Sequence, residues 1–293
     1  MPPRYRTLFL ALAGTAFLAT FFVSVLRRED ATLGTPIVET DPSPSPRWSE
    51  VQYPSGTVLR GDLANQTLTP ANSPYILEGT VRIPPGTTLR ADPQTLIAAS
   101  DGVRIVVEGT LEADRAAFVN NHLHRDRRLW HGLTAQRGGK IIFRDSAVAD
   151  ASAGITCAEG GVVSVTGGSI SDTAAGIVTM SGCTTAHIDG LRIVQSRVGF
   201  HLLGGTPTIT NVTLTRVFDG LRIFHEARPT LQNVTAKTLQ HALAVHKASA
   251  DLLIHGLSLP RGADIAALLI DGADTPTHRW QDQEFPTGRV IVQ

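Results

Sequence analysis

The sequence is poor in aromatic residues, 5% of the total, and holds only two cysteines, Cys157 and Cys183. It carries no excess charge of either sign, with Lys+Arg and Asp+Glu both at 26. Scarce aromatics beside plentiful Gly, Val, Ile and Thr disfavour long helices and favour short strands with tight turns. Two cysteines cannot build a disulfide framework. They allow one bridge at most, and the expectation is a pair of half-buried free thiols. Balanced charge leaves no global field to draw nucleic acid or a strongly acidic partner, so neither is expected. The 293 residues suffice for one large domain or two small ones.

One long uncharged run is present, TLFLALAGTAFLATFFVSVL, from Thr7 to Leu26. Twenty helical residues span about 30 Å, the thickness of a bilayer's hydrocarbon core. A cleaved export signal has a shorter apolar region and a small-x-small site after it. Here Val25-Leu26-Arg27-Arg28 follows instead, so residues 1–28 read as an uncleaved signal anchor. Flanking arginines on both sides specify orientation weakly, and the expectation is an exported remainder on the periplasmic or cell-surface side. Residues 29–51, rich in Pro, Ser, Thr and acid, read as a semi-extended tether.

From there the chain repeats itself. Leu133, Ile155, Ile177, Phe200, Leu221 and Leu243 follow one another at steps of 22, 22, 23, 21 and 22. Upstream, Leu111 and Leu89 extend that column by 22 and 22. A second column runs Phe143, Val165, Ile188, Ile209, Leu231, Ile254, and a third runs Val148, Ile170, Ile193, Leu214, Ala236, Leu259. Three columns on one period are the signature of a solenoid. Within each unit the apolar residues alternate, as in Leu221-x-Ile223 and Val212-x-Leu214, which is strand periodicity. Between the second and third columns stand Gly167, Gly190, Asn211, Asn233 and Gly256, residues that tolerate the left-handed backbone of a sharp bend. Each unit of about 22 residues therefore holds three strands and three bends. A leucine-rich repeat is the rival, but here Asn precedes the apolar pair and the return segments, such as LLGGTPT, are too short for helices. The expected fold is all-β, a single-stranded parallel β-helix over 52–260, with 261–293 as a C-terminal cap closed by a strand at Arg289 to Val292.

The segments SPYILEGTVRIPPGTTLRADPQTLI (Ser73 to Ile97), VEGTLEA (Val107 to Ala113) and WHGL (Trp130 to Leu133) resemble the rungs of right-handed parallel β-helix proteins of the pectin-lyase-like family, in particular bacterial surface β-helices. The resemblance covers about Ser73 to Leu259. It implies a rigid right-handed prism that is a polysaccharide lyase, hydrolase or epimerase in some members and a non-catalytic surface protein in many. Family lyases gather Asp residues around Ca²⁺ with an Arg or Lys base, and family hydrolases use clustered Asp. This sequence has no Asp-Asp pair, no G-H-G and no D-P-H-D. No catalytic residue, cofactor or metal site is therefore expected, and the reading leans away from an enzyme. Asp150 and Asp172 share an offset one rung apart, in a column continued by Gln195, Arg216 and Thr238; a solvated turn position accounts for them better than a cation site.

Two surfaces remain as candidates. Outward positions on the first-column strands read Thr134, Thr156, Val178, His201, Arg222, Ala244, and two residues further on Gln136, Ala158, Met180, Leu203, Phe224, His246. Met180, Leu203 and Phe224 would form an apolar stripe rimmed by His201, Arg222 and His246, with Asp219, His225 and His241 on the adjoining bends. Such a strip suits a polysaccharide or a cell-surface protein. The second is a basic loop, NNHLHRDRRLWHGL, with His122, His124, Arg125, Arg127 and Arg128. It lacks the further Cys or His that a transition metal requires and reads as a solvated surface able to touch an anionic glycan or lipid headgroup. Asn65, Asn211 and Asn233 head glycosylation-type triplets, but the last two are the bend residues of the repeat.

Overall fold

The computed structural model describes residues 53–121 and 129–246 and three further strands, Leu253–Ser258, Ile265–Ile270 and Arg289–Val292. The apolar N-terminal run, the tether and the basic loop residues His122, His124, Arg125, Arg127 and Arg128 lie outside the described residues. Among the described residues the helical content is one 3-10 turn, Pro70–Asn72, and everything else regular is strand.

All strand pairs among the described residues are parallel, and each strand away from the ends pairs with its counterparts one turn earlier and one turn later. Ala153–Cys157 lies between Leu133–Ala135 and Ala175–Thr179, with Ile155 level with Leu133 on one side and Ile177 on the other. Val163–Val165 and Ile170 repeat the arrangement in the second and third sheets. The described residues thus form a coil of three-strand turns, a parallel β-solenoid. Its interior is a stack of aliphatic side chains with Phe118, Phe143, Phe200 and Trp130 fully buried among them. Each inward Leu, Ile or Val withdrawn from water contributes about 1.5–3 kcal/mol.

The columns expected from the period hold from Leu133 onward. Phe143, Val165, Ile188, Ile209, Leu231 and Ile254 are register partners in series, as are Val148, Ile170, Ile193, Leu214 and Ala236. Upstream the expectation fails. Leu89 pairs with Leu111, and Leu111 with Ile141, so both belong to the second sheet, while the partner of Leu133 is Ile105. The turn between Ile105 and Leu133 is longer than its successors, and counting back by 22 steps from one sheet into the next.

Corners explain the polar columns. Asp150, Asp172, Gln195 and Arg216 have φ of 55°, 53°, 52° and 54°, one left-handed residue per turn between the third and first sheets. Asn211 and Asn233, both at φ 53°, occupy the corner between second and third sheets. There the Asn211 amide donates to Asp189 Oδ1 at 2.7 Å, and the Asn233 amide donates to Asn211 Oδ1 at 3.1 Å. Asn211, with Thr210, holds the Asp189 carboxyl below the usual range by hydrogen bonding to its charged form. At the start of each first-sheet strand the backbones approach so closely that a Cβ on Gly176 would lie 2.7 Å from the Gly199 carbonyl oxygen. On the turn after Gly220 the same position is taken by Ala242.

Cys157 and Cys183 form a disulfide, contrary to the expectation of free thiols. The residue one turn above Cys157 is Thr179. The chain then doubles back through a turn in which the Cys183 amide donates to the Met180 carbonyl. That reversal brings Cys183 to 5.4 Å (Cα–Cα) from Cys157, and the bridge joins consecutive turns from the inside.

The early turns are covered from outside. Ile76, Ala98, Val119 and Ala149 form a second apolar cluster, with Tyr53, Leu96 and Ala117 packed against it. Tyr53 is held there by its N–H donating to Asn121 Oδ1 and by the Asn121 amide donating to its carbonyl.

A buried carboxylate ties three turns together. Glu108, its side chain 2% exposed, accepts from Arg82 Nε at 2.6 Å and from Arg137 Nη1 at 2.6 Å. The hydrogen bond from Arg82, then that from Arg137 and the two positive charges, outweigh desolvation and hold the Glu108 carboxyl below its ordinary value. A lowered folded value means the stabilisation is fully present above the unfolded value near 4.3 and is lost as pH falls through the folded one. The Glu108→Gln variant is therefore expected to melt lower than wild type at pH 7, with the gap closing as the pH is taken below about 4. Thermal melts across that range check it, and a gap independent of pH would contradict it.

Candidate binding face on the first sheet

The outward positions of the first sheet fall where strand alternation places them. Thr134, Thr156, Val178, His201, Arg222 and Ala244 are register partners in series. His201 stands between inward Phe200 and Leu202, yet it is only 4% exposed. The Phe224 ring lies against it, centroids 5.0 Å apart.

Beside this pair sits an ionic cluster. Asp219, 1% exposed, accepts from Arg222 Nε at 2.8 Å and from Arg222 Nη2 on the same oxygen, Oδ2. Its other oxygen, Oδ1, faces His241 Nδ1 at 2.7 Å. With the ring hydrogen on Nδ1, His241 donates to the carboxylate and keeps Nε2 as an acceptor. Arg222 is about a quarter exposed and His241 about an eighth, so both reach the surface while the acid between them does not. The turn places them: Asp219 and His241 are register partners on neighbouring rungs. Earlier turns carry Val198 and Ala175 at this level. Apolar side chains satisfy the fold there, so the charge at Asp219 is not a demand of the coil.

Phe224 and the residue after it form a bulge. Leu202 pairs with Ile223 but Gly204 pairs with Glu226, leaving Leu203 opposite two residues. Such an insertion bends the strand and re-aims its side chains. Ser181 donates to the Glu226 carboxylate two turns away, across Gly204. A Cβ at Gly204 would lie 2.8 Å from Ser181 Cα, so only a bare backbone leaves room for that contact.

The structure thus brings together His201, Arg222 and Phe224 of the expected stripe and adds Asp219 and His241. Met180 and Leu203 are half-buried on the neighbouring turns, Met180 in the disulfide's turn and Leu203 against the bulge. His246 is the register partner of Phe224, but its side chain and that of His225 lie outside the described ones. The Asp219–His241 contact had a legible signal, since 241 minus 219 is one repeat length. Among the described residues no group of three or more His, Cys, Asp or Glu side chains is placed to hold a metal ion.

Comparison of the chain with protein-family models, with curated proteins and with solved structures finds no match in any of the three. The class of protein is defined by the coil itself: an all-β parallel solenoid with an acid–base cluster on one outward face.

Proposed function

We propose that this chain is a membrane-anchored, extracytoplasmic β-helix of the right-handed, pectin-lyase-like type that works as a non-catalytic binding module for a glycan or protein partner. The carrying observation is the Arg222–Asp219–His241 cluster beside His201 and Phe224. Burying a carboxylate is unfavourable unless it is paired, and this one orients a guanidinium and an imidazole at the surface next to an aromatic ring. Export is supported by the Cys157–Cys183 bridge, since disulfides persist in oxidising compartments, and by the apolar run from Thr7 to Leu26.

A glycan array and a pull-down from envelope extract, run with the full chain in detergent, test the reading. Arg222→Ala and Phe224→Ala are expected to weaken the captured ligand by tenfold or more, as truncation of central anchors does. Ligand capture insensitive to both substitutions would remove this face as the site.

A second reading, a polysaccharide-active enzyme, is favoured by one observation: a carboxylate-oriented imidazole is the arrangement of a general base. Incubation with uronic-acid polymers decides between them. New unsaturated or reducing ends that vanish in His241→Ala would establish catalysis and overturn the binding-only reading.

A further inference from the structure

A different face gathers cations. On the third sheet, residues 191–198, 212–218 and 234–238 form three consecutive turns, and none of these segments contains an acidic residue. They contain Arg192, Arg197, Arg216 and Lys237. Arg192 is level with Thr213 and Thr235, and Lys237 is level with Thr215 and Val194, so Arg192 and Lys237 stand on the outward side two turns apart. Arg216 follows Thr215 at the left-handed corner, which turns its side chain out of the wall. Arg192, Arg216 and Lys237 are all exposed, and none makes an ion pair among the described residues. Phe218, two residues beyond Arg216, is 38% exposed; among the described residues only it and Val58 are large apolar side chains so open to solvent. Early turns of this sheet lie under Tyr53, whereas these later turns have no such cover among the described residues.

We propose that this strip binds a linear anionic glycan laid along the solenoid axis. Rungs follow one another at about 4.8 Å, so the cations recur along the axis as charges do along a polyanion. Arginine forks suit carboxylate and sulfate alike, and an exposed ring among them supplies a stacking surface. The strip is short: the preceding turn on the same face carries Ser169, Ser171 and Asp172 in place of cations, which fits a short run of glycan units and disfavours a broad anionic bilayer. The inference does not depend on the first-sheet cluster.

The test uses the full chain in detergent, with heparin as the sulfated probe and hyaluronan as the carboxylated one. A triple variant, Arg192→Ser, Arg216→Asn and Lys237→Ser, removes the charge, and Asn keeps the corner's left-handed backbone comfortable. Wild type is expected to bind one or both glycans at low salt. The triple variant is expected to bind at least tenfold more weakly, with the slope of log affinity against log salt reduced by about two to three. A second triple variant, Arg192→Lys, Arg216→Lys and Lys237→Arg, is expected to retain binding, and thermal melts check that both variants fold. Lys140→Ser, which removes an exposed cation from the second sheet, leaves this binding unchanged and shows that the loss is specific to the strip. Failure of wild type to bind either glycan, or equal binding by the charge-removed variant, overturns the proposal. So does a loss confined to anionic phosphatidylglycerol vesicles, which would assign the strip to a lipid surface.

Discussion

Replacing Cys157 and Cys183 together by alanine lowers the stability of the coil by about 3–4 kcal/mol. The estimate follows from chain entropy: the bridge closes a loop of sequence separation 26, between the 15-residue and 100-residue cases for which the loss is about 3 and about 4.7 kcal/mol. For a chain of this size the melting temperature falls by roughly 7–14 °C. The effect is local in origin, because the bridge fixes the Met180–Cys183 reversal on which Ser181 and Met180 sit. Wild type heated with a reductant should reproduce the fall, and the double variant should be indifferent to reductant. Two reactive thiols in the denatured, unreduced protein would show that the bridge does not form.

Gly132→Ala is the second large effect, an expected loss of about 3–5 kcal/mol. Gly132 has φ +81°, and an added Cβ would lie 1.7 Å from the Ala153 carbonyl oxygen and 2.8 Å from that of Gly154. The left-handed backbone alone costs an alanine about 1–2 kcal/mol. The remainder comes from forcing apart two turns whose strands are hydrogen-bonded from Leu133 through Ala135. Gly79→Ala isolates the first contribution, since Gly79 has φ +66° with nothing within 4 Å of an added Cβ. Denaturant midpoints of the two variants should differ by more than the Gly79 variant differs from wild type. Equal losses would mean the turns give way without resistance.

Why the coil was legible and its site less so follows from how each is built. Leu133, Ile155, Ile177 and Phe200 face inward at a constant residue count, and every such side chain meets the same requirement, so periodicity survives in the sequence. The outward alternation follows from it, so the adjacency of His201 and Arg222 on neighbouring turns is legible in the sequence. Irregular lengths were invisible. The long turn before Leu133 shifted Leu111 and Leu89 into the wrong sheet, because a count along the chain cannot tell one apolar column from another once a turn lengthens. The disulfide escaped for a related reason: a separation of 26 is off the period, and only the reversal after Met180 closes it. Asp219 and His241 obeyed the period, but their contact depends on a corner where the register shifts, between Val217 and Asp219. The strip of Arg192, Arg216 and Lys237 is hidden in the sequence because its members lie on three separate turns, scattered through 46 positions (192 to 237).

The left-handed residue at each corner has one more consequence. Gln195 and Arg216 turn the chain through the same bend as Asp150 and Asp172, so the bend depends on backbone angle and is indifferent to side-chain identity. The solenoid is expected to behave like a threaded rod: removing or inserting a full turn keeps the strands in register, whereas a fraction of a turn breaks it. Its length is therefore an adjustable dimension, quantised in whole revolutions, and the separation between any two outward patches can change in steps without altering either patch.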